Sequence, residues 1–228
     1  MHKNWMTVTA GLFAAAMSLA AGAALAEDAA KTADTATGVV STGDKALDEL
    51  LAKEKEGRKA CKIDICSALR SKTAAGADVS CHVVQTLPKQ TLNKMLEKGH
   101  VSWPWENVHC QSDITLKRAV LVSAMTQPKY EAAFEPTTVT CEIERGAGSD
   151  KYVFKVSLTP KVTFENGKAT AAQLQWGEVD APLLAKGVIW PITGIDNKTG
   201  MLSGKFTEMV NDFADKKCDE VKDQLKTN

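Results

Sequence analysis

Residues 137–176 read TTVTCEIERGAGSDKYVFKVSLTPKVTFENGKATAAQLQW, and their pattern decides the fold class. Val139, Cys141 and Ile143 alternate with polar neighbours. Tyr152, Phe154, Val156 and Leu158 alternate again after the Gly146-Ala147-Gly148 turn. A period of two places one set of side chains on a single face of a strand, so both runs are half-buried β-strands. Glu165-Asn166-Gly167-Lys168 then supplies an Asn-Gly pair between opposite charges, the signature of a two-residue type I′ hairpin loop. If Glu165 pairs with Lys168, a regular ladder sets Phe164 opposite Ala169 and Val162 opposite Ala171. The apolar set further on is Ala172, Leu174 and Trp176, which has the other parity. The pattern therefore predicts a β-bulge or bend near Pro160 or near Ala171-Ala172, curving the sheet.

Working outward, residues 79–87 and 108–116 read as further strands. Pro88 opens a helix between them, with Leu92, Met95 and Leu96 on one face and Gly99 at its end. Residues 117–125 read as a short helix stopped before Pro128. Upstream, Asp44 caps a helix whose apolar stripe is Leu47, Leu50 and Leu51, and Gly57 is expected to end it. Downstream, Pro182 suits a first helical position, and Pro191 and Gly194 break the segment. Phe206, Met209, Val210, Phe213, Cys218, Val221 and Leu225 then recur at helical spacing. Helices precede, interrupt and follow an antiparallel meander. The expected class is α+β: a curved antiparallel sheet of about five strands, with N-terminal, intervening and C-terminal helices, stabilised by disulfides.

The N-terminus reads as an export signal. Lys3 is the only charge, residues 8–21 are apolar, and Ala24-Leu25-Ala26 forms a small-x-small cleavage site. Residues 1–26 are thus expected to be removed, residues 27–43 to form a leader with little to bury, and residues 44–228 to form one domain. No later segment reads as a membrane span, and the expected location is the periplasm or the cell exterior. Cleavage removes Lys3 alone from the 28 basic residues, leaving 27 against 28 acidic ones and a net charge near −1. Only Arg58, Arg70, Arg118 and Arg145 carry guanidinium groups, which argues against nucleic acid as a partner.

Cys61, Cys66, Cys81, Cys110, Cys141 and Cys218 form an even set. In an oxidising compartment they read as three disulfides. Cys110 and Cys141 lie on strands and suit each other. Cys218, on the apolar side of the last helix, suits Cys61 or Cys66, leaving the other for Cys81. No Cys-x-x-Cys is present, so the cysteines do not read as a redox motif. Cys81-His82 and His109-Cys110 point to opposite faces of their strands and cannot chelate one ion, so no metal or cofactor is expected.

Hydrolase and nucleotide-binding motifs are absent, and His82, His100 and His109 stand in no recognised catalytic context. The residues that suggest recognition are aromatic. Trp103-Pro104-Trp105 puts two rings on one side of an extended segment, as a platform for a ligand or a cap on the core. Trp176 and Trp190 join them as weaker candidates. If the four converge on the concave face of a bent sheet, they bound a pocket for a small apolar ligand. The functional expectation is an exported, non-enzymatic domain that binds a small apolar ligand, a peptide or a protein partner. The alternatives are a structural or inhibitory envelope protein and a hydrolase of unfamiliar type.

Overall fold

The computed structural model describes residues 42–97, 102–146, 149–181, 200 and 202–225. The signal segment, the leader up to residue 41, the C-terminus of the Pro88 helix at Gly99, and residues 182–199 lie outside this set.

Helix α1 spans Lys45–Leu69. Asp44 caps it, its Oδ1 accepting from the amides of Ala46 at 2.9 Å and Leu47 at 3.2 Å. Gly57, expected from the sequence to end this helix, instead lies within it, far from the true end after Leu69. A mid-helix glycine costs up to about 1 kcal/mol relative to alanine, and tertiary burial outweighs it here. The C-terminal half of the helix buries Cys61, Ile65, Cys66, Ala68 and Leu69 and carries two disulfides. Gly57 has no positive φ, and a Cβ added there meets nothing within 4 Å. Gly57→Ala is therefore expected to stabilise the protein by about 0.5–1 kcal/mol, read as a higher urea midpoint at unchanged slope.

Strand β1 (Val79–Leu87), helix α2 (Lys89–Glu97), strand β2 (Val108–Leu116) and helix α3 (Arg118–Thr126) follow the expected order. Strands β3 (Lys129–Ala133), β4 (Thr137–Ile143), β5 (Tyr152–Glu165) and β6 (Lys168–Asp180) complete an open antiparallel sheet of six strands. The short β3, with two alanines and no apolar alternation, gave no strand signal. It forms because β5 pairs with it, Ala132 lying opposite Val162. β3 and β4 lie end to end along the same side of β5, which pairs with β6 on its other side. The sheet is thus five strands wide. Pro160 faces the break between β3 and β4, where its missing N–H leaves no ladder bond unmade, and its carbonyl accepts from the Phe134 amide at 3.0 Å.

The hairpin loop is as expected, with Asn166 at φ 51° and Gly167 at φ 78°. The anticipated bulge lies on β6. Thr163 pairs with Ala171 but Phe164 with Ala169, so Thr170 is the additional residue, and Val162, Leu174 and Trp176 return to one face. A second irregularity occurs between Val156↔Val179 and Leu158↔Trp176.

Helix α4 spans Ser203–Asp212 and continues as a π-helical turn, Phe213–Lys217. The amide of Cys218 donates to the carbonyl of Phe213, five residues back. This wider turn brings Cys218, rather than Lys217, to face Cys66. The disulfides are Cys61–Cys81, Cys66–Cys218 and Cys110–Cys141, the last a directly opposed cross-strand pair. Cys110–Cys141 is the pair expected from the sequence, and of the two partners left open for Cys218 the structure takes Cys66, leaving Cys61 for Cys81.

Most apolar residues of the strands share one face, which helices cover, Val84 and Val153 being on the other. The buried apolar residues form two clusters, one around α1, β1, β2 and β4 and the other around β3, β5, β6 and α4. Helix side chains take the place of missing strands at both ends of the sheet. Asn211 on α4 accepts from the Ala169 amide at 2.8 Å and donates to its carbonyl at 2.9 Å, closing that stretch of the β6 edge. At the other edge, Glu54 on α1 accepts from the Thr86 amide at 2.7 Å, and Arg58 donates to the Val84 carbonyl at 2.8 Å.

Candidate functional site

The two clusters do not close completely where they meet. Between the sheet and the helices lies an apolar cavity of about 140 Å³. Its floor is the inward set of the strands, including Ile114, Val139, Val156, Leu158, Val162, Phe164 and Trp176. Period two in each strand aims these side chains at one point. Its roof is helical, with Ile65 and Leu69 from α1, Leu121 from α3, Phe206 and Val210 from α4, and Phe213 and Ala214 from the π turn. Apart from the Thr137 hydroxyl and the Trp176 indole, every lining side chain is hydrocarbon. Such a site offers shape and dispersion contacts to an apolar group, and no charge to recognise an ion. Its volume is on the order of the ~150 Å³ engineered cavities that stay dry and take up benzene or xenon.

The sequence-selected tryptophans separate. Trp176 lies in the cavity wall, 7% exposed. Trp103 is equally buried, but in the first cluster, where its Nε1 donates to the Glu106 carbonyl at 2.7 Å. Trp105 meets Trp103 edge-on at 4.8 Å between centroids and Tyr152 at 6.0 Å, and Arg145 stacks over Tyr152 at 4.3 Å. These rings pack one end of the first cluster and do not line the cavity. Trp190 lies outside the described residues. Sequence reasoning missed the phenylalanines. Phe134, Phe164, Phe206 and Phe213 give the cavity four of its five aromatic rings. Phe164, Phe206 and Phe213 carried only the signal of an apolar stripe, which core residues share, and Phe134 stands outside every periodic run.

A polar constellation also forms at the β1 edge. Thr86 and His109 are opposed in the β1–β2 ladder. Thr86 Oγ1 donates to Glu54 Oε1 at 2.7 Å and lies 2.8 Å from His109 Nδ1. His109 Nε2 lies 2.9 Å from Glu144 Oε1, and Asn107 donates to the other Glu144 oxygen at 3.0 Å. Hydroxyl, imidazole and carboxylate thus stand at hydrogen-bonding distance, as nucleophilic catalysis would require. The arrangement nevertheless reads as a strut. Thr86 is 3% exposed and its single proton already goes to Glu54. His109 bridges Thr86 to Glu144 through its two ring nitrogens, so the group ties β1 to the Glu144 segment after β4. His82 makes a simpler pair with Asp113 at 2.8 Å on the exposed face of the sheet, and His100 lies outside the described residues. Among the described residues no group of three metal-ligating side chains occurs.

The strut responds to acid. Burial raises the Glu144 pKa, but the bonds from His109 and Asn107 outweigh it and hold the carboxyl below its ordinary 4.5. A depressed carboxyl contributes stability above its unfolded pKa and loses it as pH falls through the folded value. Below about pH 4.5 the wild type should therefore lose stability more steeply than Glu144→Gln, measured by urea unfolding across that range. Parallel curves would contradict this.

No family model, curated protein or solved structure matches the chain. Among the described residues no helix is long and apolar enough to cross a membrane, a statement that does not bear on β-barrels.

Proposed function

We propose that this is an exported envelope domain that holds a small apolar ligand in the cavity between its sheet and its helices. The hydrocarbon lining of that cavity carries the reading. The signal-like N-terminus and three disulfides support an oxidising compartment, the periplasm or the cell exterior. Docking of a protein through an apolar surface has thinner support. Among the described residues only Leu50 and Val153 are exposed large hydrophobics. Toluene serves as a minimal probe, followed by methyl chemical shifts of Leu158 and Val162. It is expected to bind the wild type one-to-one and to shift those methyls. Leu158→Trp places an indole in the cavity and should weaken binding at least about tenfold. Equal binding by the variant, or shifts confined to other methyls, would overturn the proposal.

A further inference from the structure

The cavity is partly open, and its half-exposed lining residues point to the opening. Six lining residues are half-exposed, Leu116, Phe134, Thr137, Pro160, Val210 and Phe213. The first four flank the gap where β2, β3 and β4 part, whereas Leu158, Val162 and Trp176 are buried. The sheet divides at the same place. The β1–β2 ladder runs to Val79↔Leu116, but β2 pairs with β4 only as far as Ser112↔Val139, and β3 and β4 are broken between Ala133 and Thr137. Lys117 follows Leu116 in the chain and Glu135 follows Phe134. Their side chains form an ion pair across the division, Nζ to Oε1 at 2.9 Å, with 59% and 55% of their surfaces exposed. Thr137 Oγ1 faces the Glu135 carbonyl at 3.5 Å, a long contact that a ligand oxygen can replace.

Resting on the cavity reading above, we infer that the ligand is a chain amphiphile whose hydrocarbon end enters between Leu116 and Thr137, leaving at the rim a polar head without net charge. Three observations converge on this chemistry. The interior has no partner for a charge, so only hydrocarbon belongs there. The opening allows a head to remain in water. The rim charges balance, since Glu135 already neutralises Lys117 and a charged head must displace one of them. The bond and charge of Glu135 hold the Lys117 ammonium above its ordinary 10.5.

Calorimetry with four ten-carbon ligands, decanol, decanoate, decylammonium and decylphosphocholine, tests this beside toluene. The wild type is expected to bind decanol and decylphosphocholine at least about fivefold more tightly than the two ions. Glu135→Gln frees Lys117 and should improve decanoate about fivefold, and Lys117→Gln should improve decylammonium similarly. Both positions are exposed, and circular dichroism checks that the variants fold. Toluene binding without chain binding would overturn the amphiphile and leave the cavity reading standing. Chain binding that ignores both substitutions would remove the head from this rim. Failure of toluene and chains together would sink both readings.

Discussion

A Cys66→Ala/Cys218→Ala double variant is expected to lose about 5 kcal/mol of stability, the largest effect of removing any one disulfide. The two cysteines are separated by 152 residues, and loop-closure entropy rises with the length enclosed. The same relation gives about 4 kcal/mol for Cys110–Cys141, which encloses 31 residues, and slightly less for Cys61–Cys81, which encloses 20. Position adds to length. Cys66 and Cys218 are fully buried and tie α1 to the C-terminal helical segment, the two sides of the cavity roof. Arg70–Asp219 and Lys62–Glu220, both at 2.8 Å, cross the same junction, and the more exposed Arg70–Asp219 contributes little alone. Urea unfolding of the three double variants without reductant gives the ranking. A Cys66/Cys218 loss no larger than the others would contradict it.

Glu54→Ala is expected to cost about 3 kcal/mol, although it removes a surface-type residue from a helix. Glu54 is buried and accepts from both the amide and the hydroxyl of Thr86. Arg58 lies 3.7 Å from the same carboxylate. Alanine leaves the buried Thr86 amide unpaired and its hydroxyl with His109 alone, removes the carboxylate beside Arg58 and reopens the edge of β1. Glu49→Ala is the control. Its carboxylate is 71% exposed and meets Lys45 only at 3.9 Å, so its loss should stay within about 0.5 kcal/mol. A similar loss for the two variants would show that Glu54 holds nothing. Concentration-dependent association of the Glu54 variant would instead support its role as an edge guard.

The sequence made legible whatever depends on local periodicity. Strands β1 and β2 carry alternating or β-branched runs, and Asn166-Gly167 fixed the hairpin. The parity conflict between Phe164 and Leu174 announced the bulge at Thr170 before any pairing was known. The strand cysteines Cys110 and Cys141 were legible as a pair, but the choice between Cys61 and Cys66 for Cys218 was not. Both lie on the same helix, and only the packed structure decides which one faces Cys218. What failed was set by distant partners. Gly57 signalled a helix end because two disulfides and the burial beyond it cannot be seen locally. β3 was missed because its strand character comes from β5. The five-residue step from Phe213 to Cys218 is one residue longer than an α-helical turn, and it coincides with the π turn. Of the candidate tryptophans, Trp176 lines the cavity and Trp103 and Trp105 do not. A cavity is a shortfall of packing between two clusters, and no residue type encodes it. Glu54 looked like a solvated helix residue because Thr86 and His109 reach it only through the fold.

The most direct measurement is native mass spectrometry of the protein purified from its own source without detergent. The account predicts a chain with all six cysteines oxidised, carrying one apolar small molecule that the Leu158→Trp variant, purified in the same way, lacks. A spectrum showing wild type and variant equally bare, or equally loaded, would contradict it.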